Sequence, residues 1–154
     1  MSNCCDFDIV IKEGEIFDGA GNPPFKADIG IKGGKIIKIG DITEKGSTTI
    51  NADGLVVSPG FIDMHNHADH AILAFPNAEC YIMQGVTTSL VGNCGLSMAP
   101  INSDNLELTK SYLFPFLRAD FDYKWDWRTS KEYFEKIQRN GTAINLAPLV
   151  GQGT

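Results

Sequence analysis

The chain has 154 residues, of which 43% are hydrophobic and 21% charged, a balance typical of a globular protein with a sizeable core. Its formal net charge of -6 argues against nucleic acid or an anionic membrane surface as the main partner. The sequence has no apolar run near the ~20 residues that cross a bilayer. Its first residues also lack the basic and apolar regions of a secretory signal. We therefore expect a cytoplasmic protein.

The cysteines favour the same reducing compartment. Their spacing fits neither a disulfide framework nor the paired Cys-x-x-Cys hooks of a structural zinc site. Cys4 and Cys5 precede the first predicted strand and are given no catalytic role. Cys80 is expected on a helix, buried in the core, and Cys94 follows a strand.

The first part of the chain, residues 1–58, predicts a small antiparallel β unit. Apolar residues in alternation, separated by turn signals, predict five short strands. The run Lys32-Gly33-Gly34-Lys35 predicts a tight hairpin between the second and third strands. The five strands are expected over residues 7–12, 28–31, 36–39, 48–50 and 55–57.

After Pro59 strands alternate with helices, which predicts an α/β fold with parallel strands and crossover helices. Strands are expected over 60–65, 86–91 and 143–150, and helices over 77–84, within 103–118 and over 130–140. A closed (β/α)₈ barrel has eight such strands and about 250 residues. The chain is therefore expected to be either a small open sheet or the opening part of a larger barrel. The abrupt end after a strand favours the second.

The run from Pro59 to His67 contains the strongest chemical signal, a His-x-His pair. Alternation along the strand places Asp63, His65 and His67 on one face. Two imidazoles at a strand end can bind one metal ion. The spacing therefore predicts a metal site.

Cys94 is the third candidate ligand. It follows the second strand of this part, between Asn93 and Gly95. Because the carboxyl ends of neighbouring parallel strands open onto one surface, we expect Cys94 close to His65 and His67. A thiolate with two imidazoles suits Zn²⁺, as one ion or two. A nucleophilic cysteine paired with a histidine, or a merely buried cysteine, are the other interpretations.

Several neighbours could assist such a site. Asp63 could orient a ligand histidine or make a structural hydrogen bond within the strand. Asp69 and Asn93 are candidates for contact with the ligands or with substrate, and His70 is expected to be an exposed polar residue. An aromatic group is expected to pack a loop rather than to line a pocket; it consists of Tyr123, Trp125 and Trp127.

The run Pro59-Gly60-Phe61-Ile62-Asp63-Met64-His65-Asn66-His67 resembles the signature of the amidohydrolase superfamily on its first barrel strand. The stretch from Gln84 to Pro100, in which Gly-Val-Thr-Thr leads to Gly-Asn-Cys-Gly, is similar to the N-acyl-D-amino-acid deacylases, or D-aminoacylases. Residues 125–129 and 143–154 also resemble that family. The resemblance covers nearly the whole chain.

The resemblance implies the N-terminal part of a β-sandwich over residues 1–58 and the first three βα units of a metal-dependent hydrolase barrel over 59–154, apparently truncated. It assigns His65, His67 and Cys94 as metal ligands, the cysteine standing where relatives use a carbamylated lysine. It also implies hydrolysis of the amide bond of small N-acyl-D-amino acids. The general-base aspartate and two further histidines would lie beyond the chain end, so the chain alone is expected to be inactive. Gln152 stands where many relatives have histidine.

Two alternatives remain open. One is a cyclic-amide hydrolase of the hydantoinase or dihydroorotase kind, which a lysine near a strand end would favour; Lys110 and Lys124 instead fall in helix or loop regions. The other is a non-catalytic metal-binding or assembly fragment. A partial barrel leaves open strand edges and apolar faces, which favour self-association or a complementing chain.

Overall fold

The computed structural model describes residues 6–153, so Cys4 and Cys5 lie outside the described residues. The chain divides into two compact units, the first ending at Pro59 and the second beginning at Gly60. Within residues 6–153, helices that could cross a membrane, being both long and apolar enough, are absent.

The first unit is a five-stranded mixed sheet in the order β3-β2-β1-β4, with β5 also beside β1. The strands are β1 (Phe7–Ile16), β2 (Phe25–Lys32), β3 (Lys35–Gly40), β4 (Gly46–Asn51) and β5 (Val56–Val57). The hairpin between β2 and β3 is confirmed: Lys32 pairs with Lys35, and Gly33 and Gly34 both have the positive φ that a two-residue turn requires.

The prediction of a wholly antiparallel unit is wrong. β1 pairs antiparallel with β2, and β2 with β3, but β4 and β5 pair parallel with β1. After β3 the chain crosses to the other edge of β1 without reversing its direction. Local turn signals predict the strands but do not specify which edge a returning strand will join.

Asp28 links three segments of the first unit. Its carboxylate accepts hydrogen bonds from Lys12 Nζ at 2.7 Å, from the Glu13 backbone N–H at 2.9 Å and from the Ile42 backbone N–H at 3.1 Å. Burial acts to raise the pKa of Asp28, but these hydrogen bonds outweigh it and the pKa is lowered. The ionised carboxylate therefore stabilises the unit.

The second unit contains three parallel strands in the order β6-β7-β8, which confirms the predicted parallel arrangement and the α/β class. The strands are β6 (Phe61–Asp63), β7 (Val86–Val91) and β8 (Asn145–Pro148). β7 occupies the predicted residues, whereas β6 and β8 are shorter than predicted. Phe61 and Ile62 of β6 are each 62% exposed, so this edge strand presents an uncovered apolar surface.

The described residues of the second unit also form four α-helices: α1 (Ala68–Ala71), α2 (Glu79–Ile82), α3 (Leu106–Leu113) and α4 (Ser130–Asn140). The predicted start of α4 is confirmed by a capping box between Thr129 and Glu132. The helix expected over 77–84 is reduced to the single turn α2, preceded by Ala78 in a left-handed conformation. Because α2 buries none of its residues, Cys80 is exposed, and its predicted place in the core is wrong.

The core of the second unit is rich in aromatic side chains. Trp127 and Tyr133 are each 1% exposed, and Tyr123 is also buried. Trp127 Nε1 donates a hydrogen bond of 2.7 Å to the Met98 carbonyl, which fixes the segment before α4 against the loop that follows β7. The aromatic group therefore packs a loop, as predicted.

Candidate metal centre

His65 and His67 lie just beyond the end of β6. The strand stops at Asp63, whose Oδ1 accepts a hydrogen bond of 3.0 Å from the His65 backbone N–H. This contact turns the chain out of the strand, so the prediction that strand alternation aligns Asp63 with both histidines is wrong. Of its two predicted roles, Asp63 makes the structural hydrogen bond.

Cys94 lies in a tight turn at the end of β7. The turn spans Asn93–Gly95, and Cys94 itself has a left-handed conformation with φ 57°. Gly92 lies immediately before this turn and has φ 80°. A Cβ atom at Gly92 would lie 2.3 Å from the Leu149 carbonyl oxygen. Residues other than glycine rarely adopt a positive φ, and they keep it only where the surrounding structure imposes it.

Asn93 connects the two segments that carry the candidate ligands. Its Nδ2 donates to the Asn66 carbonyl at 3.1 Å and to the Leu90 carbonyl at 2.7 Å. Asn66 lies between the two histidines, and Leu90 lies in β7. The amide thereby ties the loop after β6 to the end of β7. Both contacts of Asn93 are structural, and its supporting role at the candidate site stays a prediction.

The three predicted ligands converge. His65 Nε2 lies 3.1 Å from Cys94 Sγ. One ligand atom from each of His65, His67 and Cys94 lies within 4.8 Å of the other two. Zinc binds nitrogen at about 2.0–2.1 Å and sulfur at about 2.3 Å, so donor atoms grouped this closely can reach one ion after small adjustments. His65 and Cys94 are exposed, which leaves one side open to further ligands or substrate.

Asp69 and His70 lie behind His67, where the prediction that His70 is exposed proves wrong. Asp69 is 2% exposed and His70 1%. The one-turn helix α1 carries them into the core, where Tyr123 Oη donates to the His70 carbonyl at 2.9 Å and Tyr133 Oη donates to the Asp69 carbonyl. The apolar neighbours Ala68, Ala71 and Ile72 are a weak sequence signal for the burial of Asp69 and His70. The tyrosines that anchor these two residues are remote in sequence, so local patterns do not reveal them.

Burial dominates the electrostatics of this pair. It raises the pKa of Asp69 to about 7, although backbone N–H groups, including that of Gly92, act in the opposite direction. Burial also lowers the pKa of His70 to about 4, and the nearby His67 adds to this effect. His70 Nδ1 lies 3.4 Å from Asp69 Oδ1. Because the lowered pKa of His70 leaves its imidazole uncharged at neutral pH, this contact is not an ion pair.

Comparison with known proteins gives a consistent assignment. The model of the amidohydrolase family matches residues 48–131, and the chain belongs to this family. It is 34% identical over 155 residues to a D-aminoacylase of Alcaligenes xylosoxydans xylosoxydans, an alignment that covers 100% of this chain and 31% of that protein. The chain therefore spans about a third of the length of that relative.

Two solved structures resemble the chain closely. One is an N-acyl-D-glutamate deacylase of Bordetella bronchiseptica in complex with zinc and a phosphonate inhibitor, with a TM-score of 0.78 and 32% identity over 95% of this chain and 30% of that one. The other is a D-aminoacylase described as having a binuclear metal centre, with a TM-score of 0.78 and 34% identity over the same shares.

Proposed function

We propose that the chain forms part of the metal centre of an N-acyl-D-amino-acid deacylase, in which His65, His67 and Cys94 hold zinc. The observation that carries this proposal is the convergence of two imidazoles and one thiol from the ends of adjacent parallel strands. The similarity to D-aminoacylases supports the choice of a linear N-acyl amino acid as substrate, over a cyclic amide.

The architecture that fits this function is a β-sandwich joined to a (β/α)₈ barrel. Residues 1–58 would supply the N-terminal part of the sandwich, and residues 59–154 the first three βα units of the barrel. Barrel enzymes carry their active sites at the carboxyl ends of the strands, and His65, His67 and Cys94 follow β6 and β7 directly.

The donor set suits the proposed cofactor. Two nitrogens and one sulfur form a mixed set that zinc accepts readily, and an exposed side is needed for a catalytic ion. When bound, zinc would polarise the amide carbonyl and lower the pKa of a bound water. Within the chain, His65 and Cys94 would supply ligands from the open side, and His67 from the partly buried side. One ion or two would be compatible with this set.

The general base is proposed to be an aspartate outside this chain. Among residues 6–153, two carboxylates lie nearest the ligands in sequence. Asp63 is bonded to the His65 backbone, and Asp69 is buried behind His67. Burial withdraws Asp69 from the open side, and the backbone contact occupies Asp63 Oδ1. We therefore expect the purified chain to bind zinc but to show little or no hydrolysis of N-acetyl-D-amino acids.

Zinc binding tests the proposal most directly. In a background of Cys4→Ser and Cys5→Ser, we expect Cys94→Ser to weaken zinc affinity by about tenfold or more, measured by competition with a chromophoric chelator. We also expect it to abolish the thiolate-to-metal charge-transfer band of the cobalt-loaded chain. Cys80→Ser is the matched control, because Cys80 is also a free, exposed cysteine.

Two outcomes would contradict the proposal. If Cys94→Ser and Cys80→Ser bind zinc equally well, Cys94 is not a ligand. If the purified chain hydrolyses N-acetyl-D-amino acids at the rate of an ordinary enzyme, the general base lies within it. A different result would favour the non-catalytic alternative. In that case the chain binds zinc, but a longer protein that contains it does not hydrolyse N-acyl amino acids.

A further inference from the structure

The inner side of His67 adjoins an unusual group of buried polar atoms. Among residues 6–153, His67 Nδ1, Asp69 Oδ1 and both ring nitrogens of His70 are buried without a hydrogen-bond partner. One ligand-type atom of each residue lies within 4.8 Å of the others. A buried unpaired polar atom costs roughly 1–3 kcal/mol, so several in one place call for a functional explanation.

The His70 ring is held firmly in this group. Its backbone N–H donates to the His67 carbonyl at 3.1 Å, and its own carbonyl accepts the 2.9 Å bond from Tyr123 Oη. The ring centroid lies 5.4 Å from that of His67 and 5.6 Å from that of Phe116. The His70 ring therefore forms a fixed surface against which the His67 ring can pack.

His67 is the candidate ligand that this surface contacts. Its ring packs against His70 on one side and lies 6.1 Å from the Phe116 ring. The exposed His65, in contrast, meets Cys94 directly at 3.1 Å. His67 Nδ1 is buried and unpaired, and one ring nitrogen of His67 lies within 4.8 Å of ligand atoms of both His65 and Cys94.

We propose that His70 is a positioning residue for His67: its ring packs beside the imidazole, and its unpaired nitrogens, in the same buried group as His67 Nδ1, are available to pair with that nitrogen when His67 binds a metal ion. Asp69, with Oδ1 at 3.4 Å from His70 Nδ1, closes the group. This inference rests on the proposed function, because it requires His67 to be a metal ligand. Groups behind a ligating histidine fix its tautomer and ring orientation, which raises metal affinity.

Three variants test this role in the Cys4→Ser, Cys5→Ser background. His70→Phe keeps an aromatic ring against His67 but removes both nitrogens. His70→Asn keeps a hydrogen-bonding nitrogen without the ring. Ile137→Val is the control, because Ile137 is 4% exposed in α4 and its change loosens the same core without altering a polar group. Each is measured for zinc affinity, for the cobalt absorption spectrum and for thermal unfolding without metal.

We expect His70→Phe to weaken zinc affinity by about 10–100-fold and to shift the cobalt spectrum, the range found when such supporting partners are removed. His70→Asn is expected to recover part of the affinity. Ile137→Val is expected to lower the unfolding temperature while leaving affinity and spectrum unchanged. This pattern would separate positioning of His67 from a general loss of stability.

Several results would overturn the inference. Wild-type affinity and spectrum in His70→Phe would show that His70 does not act on His67. Should that variant fail to fold, His70→Asn carries the test, and wild-type affinity in it would have the same meaning. Loss of one of two bound ions in His70→Phe would make His70 itself a ligand. If the parent chain binds no zinc, the proposed function fails first, a result distinct from an unaffected His70 variant.

Discussion

His65 Nε2 and Cys94 Sγ lie 3.1 Å apart, although 29 residues separate them in the chain. Neither residue belongs to a regular strand. They meet because β6 and β7 are parallel neighbours and because Asn93 ties the segments that follow these strands. The candidate site therefore depends on the turn chemistry at the end of β7 as much as on the ligands themselves.

Gly92→Ala is expected to damage this turn. Its φ of 80° disfavours a side chain, and the added Cβ would lie 2.3 Å from the Leu149 carbonyl oxygen. Gly141→Ala is the control, since Gly141 has φ 79° with open space around it. We expect Gly92→Ala to reduce the free energy of unfolding by about 1–3 kcal/mol more than the control and to weaken zinc binding. Urea unfolding followed by tryptophan fluorescence measures this, and equal losses would contradict it.

Trp127→Phe is expected to destabilise the second unit by about 2–4 kcal/mol. The substitution leaves a cavity at a side chain that is 1% exposed, and it leaves the Met98 carbonyl without its 2.7 Å hydrogen bond. Trp125→Phe, at a half-buried neighbour, should cost less. Thermal unfolding followed by circular dichroism compares the two, and a smaller effect at Trp127 would show that the Met98 contact does not hold the loop.

Asp28→Asn is expected to change the response of the first unit to acid. The folded-state pKa of Asp28 lies below its ordinary value of 3.8, so its stabilisation is present above that value and is lost as pH falls through the folded pKa. The variant should lose about 1–3 kcal/mol at neutral pH and show less further loss in acid.

The control for Asp28 is Asp53→Asn, since Asp53 has an exposed side chain and a long 3.8 Å contact with Lys26. Loss of this contact should lower the free energy of unfolding by less than about 1 kcal/mol. Residues 1–59 contain neither tryptophan nor tyrosine, so hydrogen exchange of residues 7–57 is the suitable measurement. A pH response that is identical in wild type and Asp28→Asn would refute the assignment.

Ile62→Lys is expected to reduce self-association of the purified chain. Phe61 and Ile62 expose apolar surface on the edge strand β6, and such edges pair with other chains unless they carry charge. Light scattering across a concentration series should show a rising mass for wild type and a smaller rise for this variant. Leu108→Lys places the same charge at a 70% exposed leucine of α3 and should have little effect. Equal effects would point to net charge instead of the strand edge.

Local signals predict much of the second unit. The β-branched run of β7 and the Thr129 cap of α4 specify their elements within a few residues. The burial of His70 cannot be predicted in this way, because it depends on hydroxyl groups of Tyr123 and Tyr133, which lie more than fifty positions away.

The first unit illustrates a different limit. Its strands and the turn at Gly33 and Gly34 follow from residue type, but the parallel pairing of β4 with β1 does not. For the candidate site, the motif identifies which residues converge. It does not predict that His65 and His67 lie in a loop after β6, where the His65 backbone N–H donates to Asp63.

β1 is flanked on one side by β2 and on the other by β4 and β5. A ribosome releases β1 before any of these partners, and its pairing is complete only once Val56 and Val57 have emerged. Early in synthesis the chain can form the β2–β3 hairpin, but the complete sheet forms only after β4 and β5 have been synthesised. A shortened version of the chain that starts after Ile16 would accordingly lack the strand that all but one of the others use for attachment.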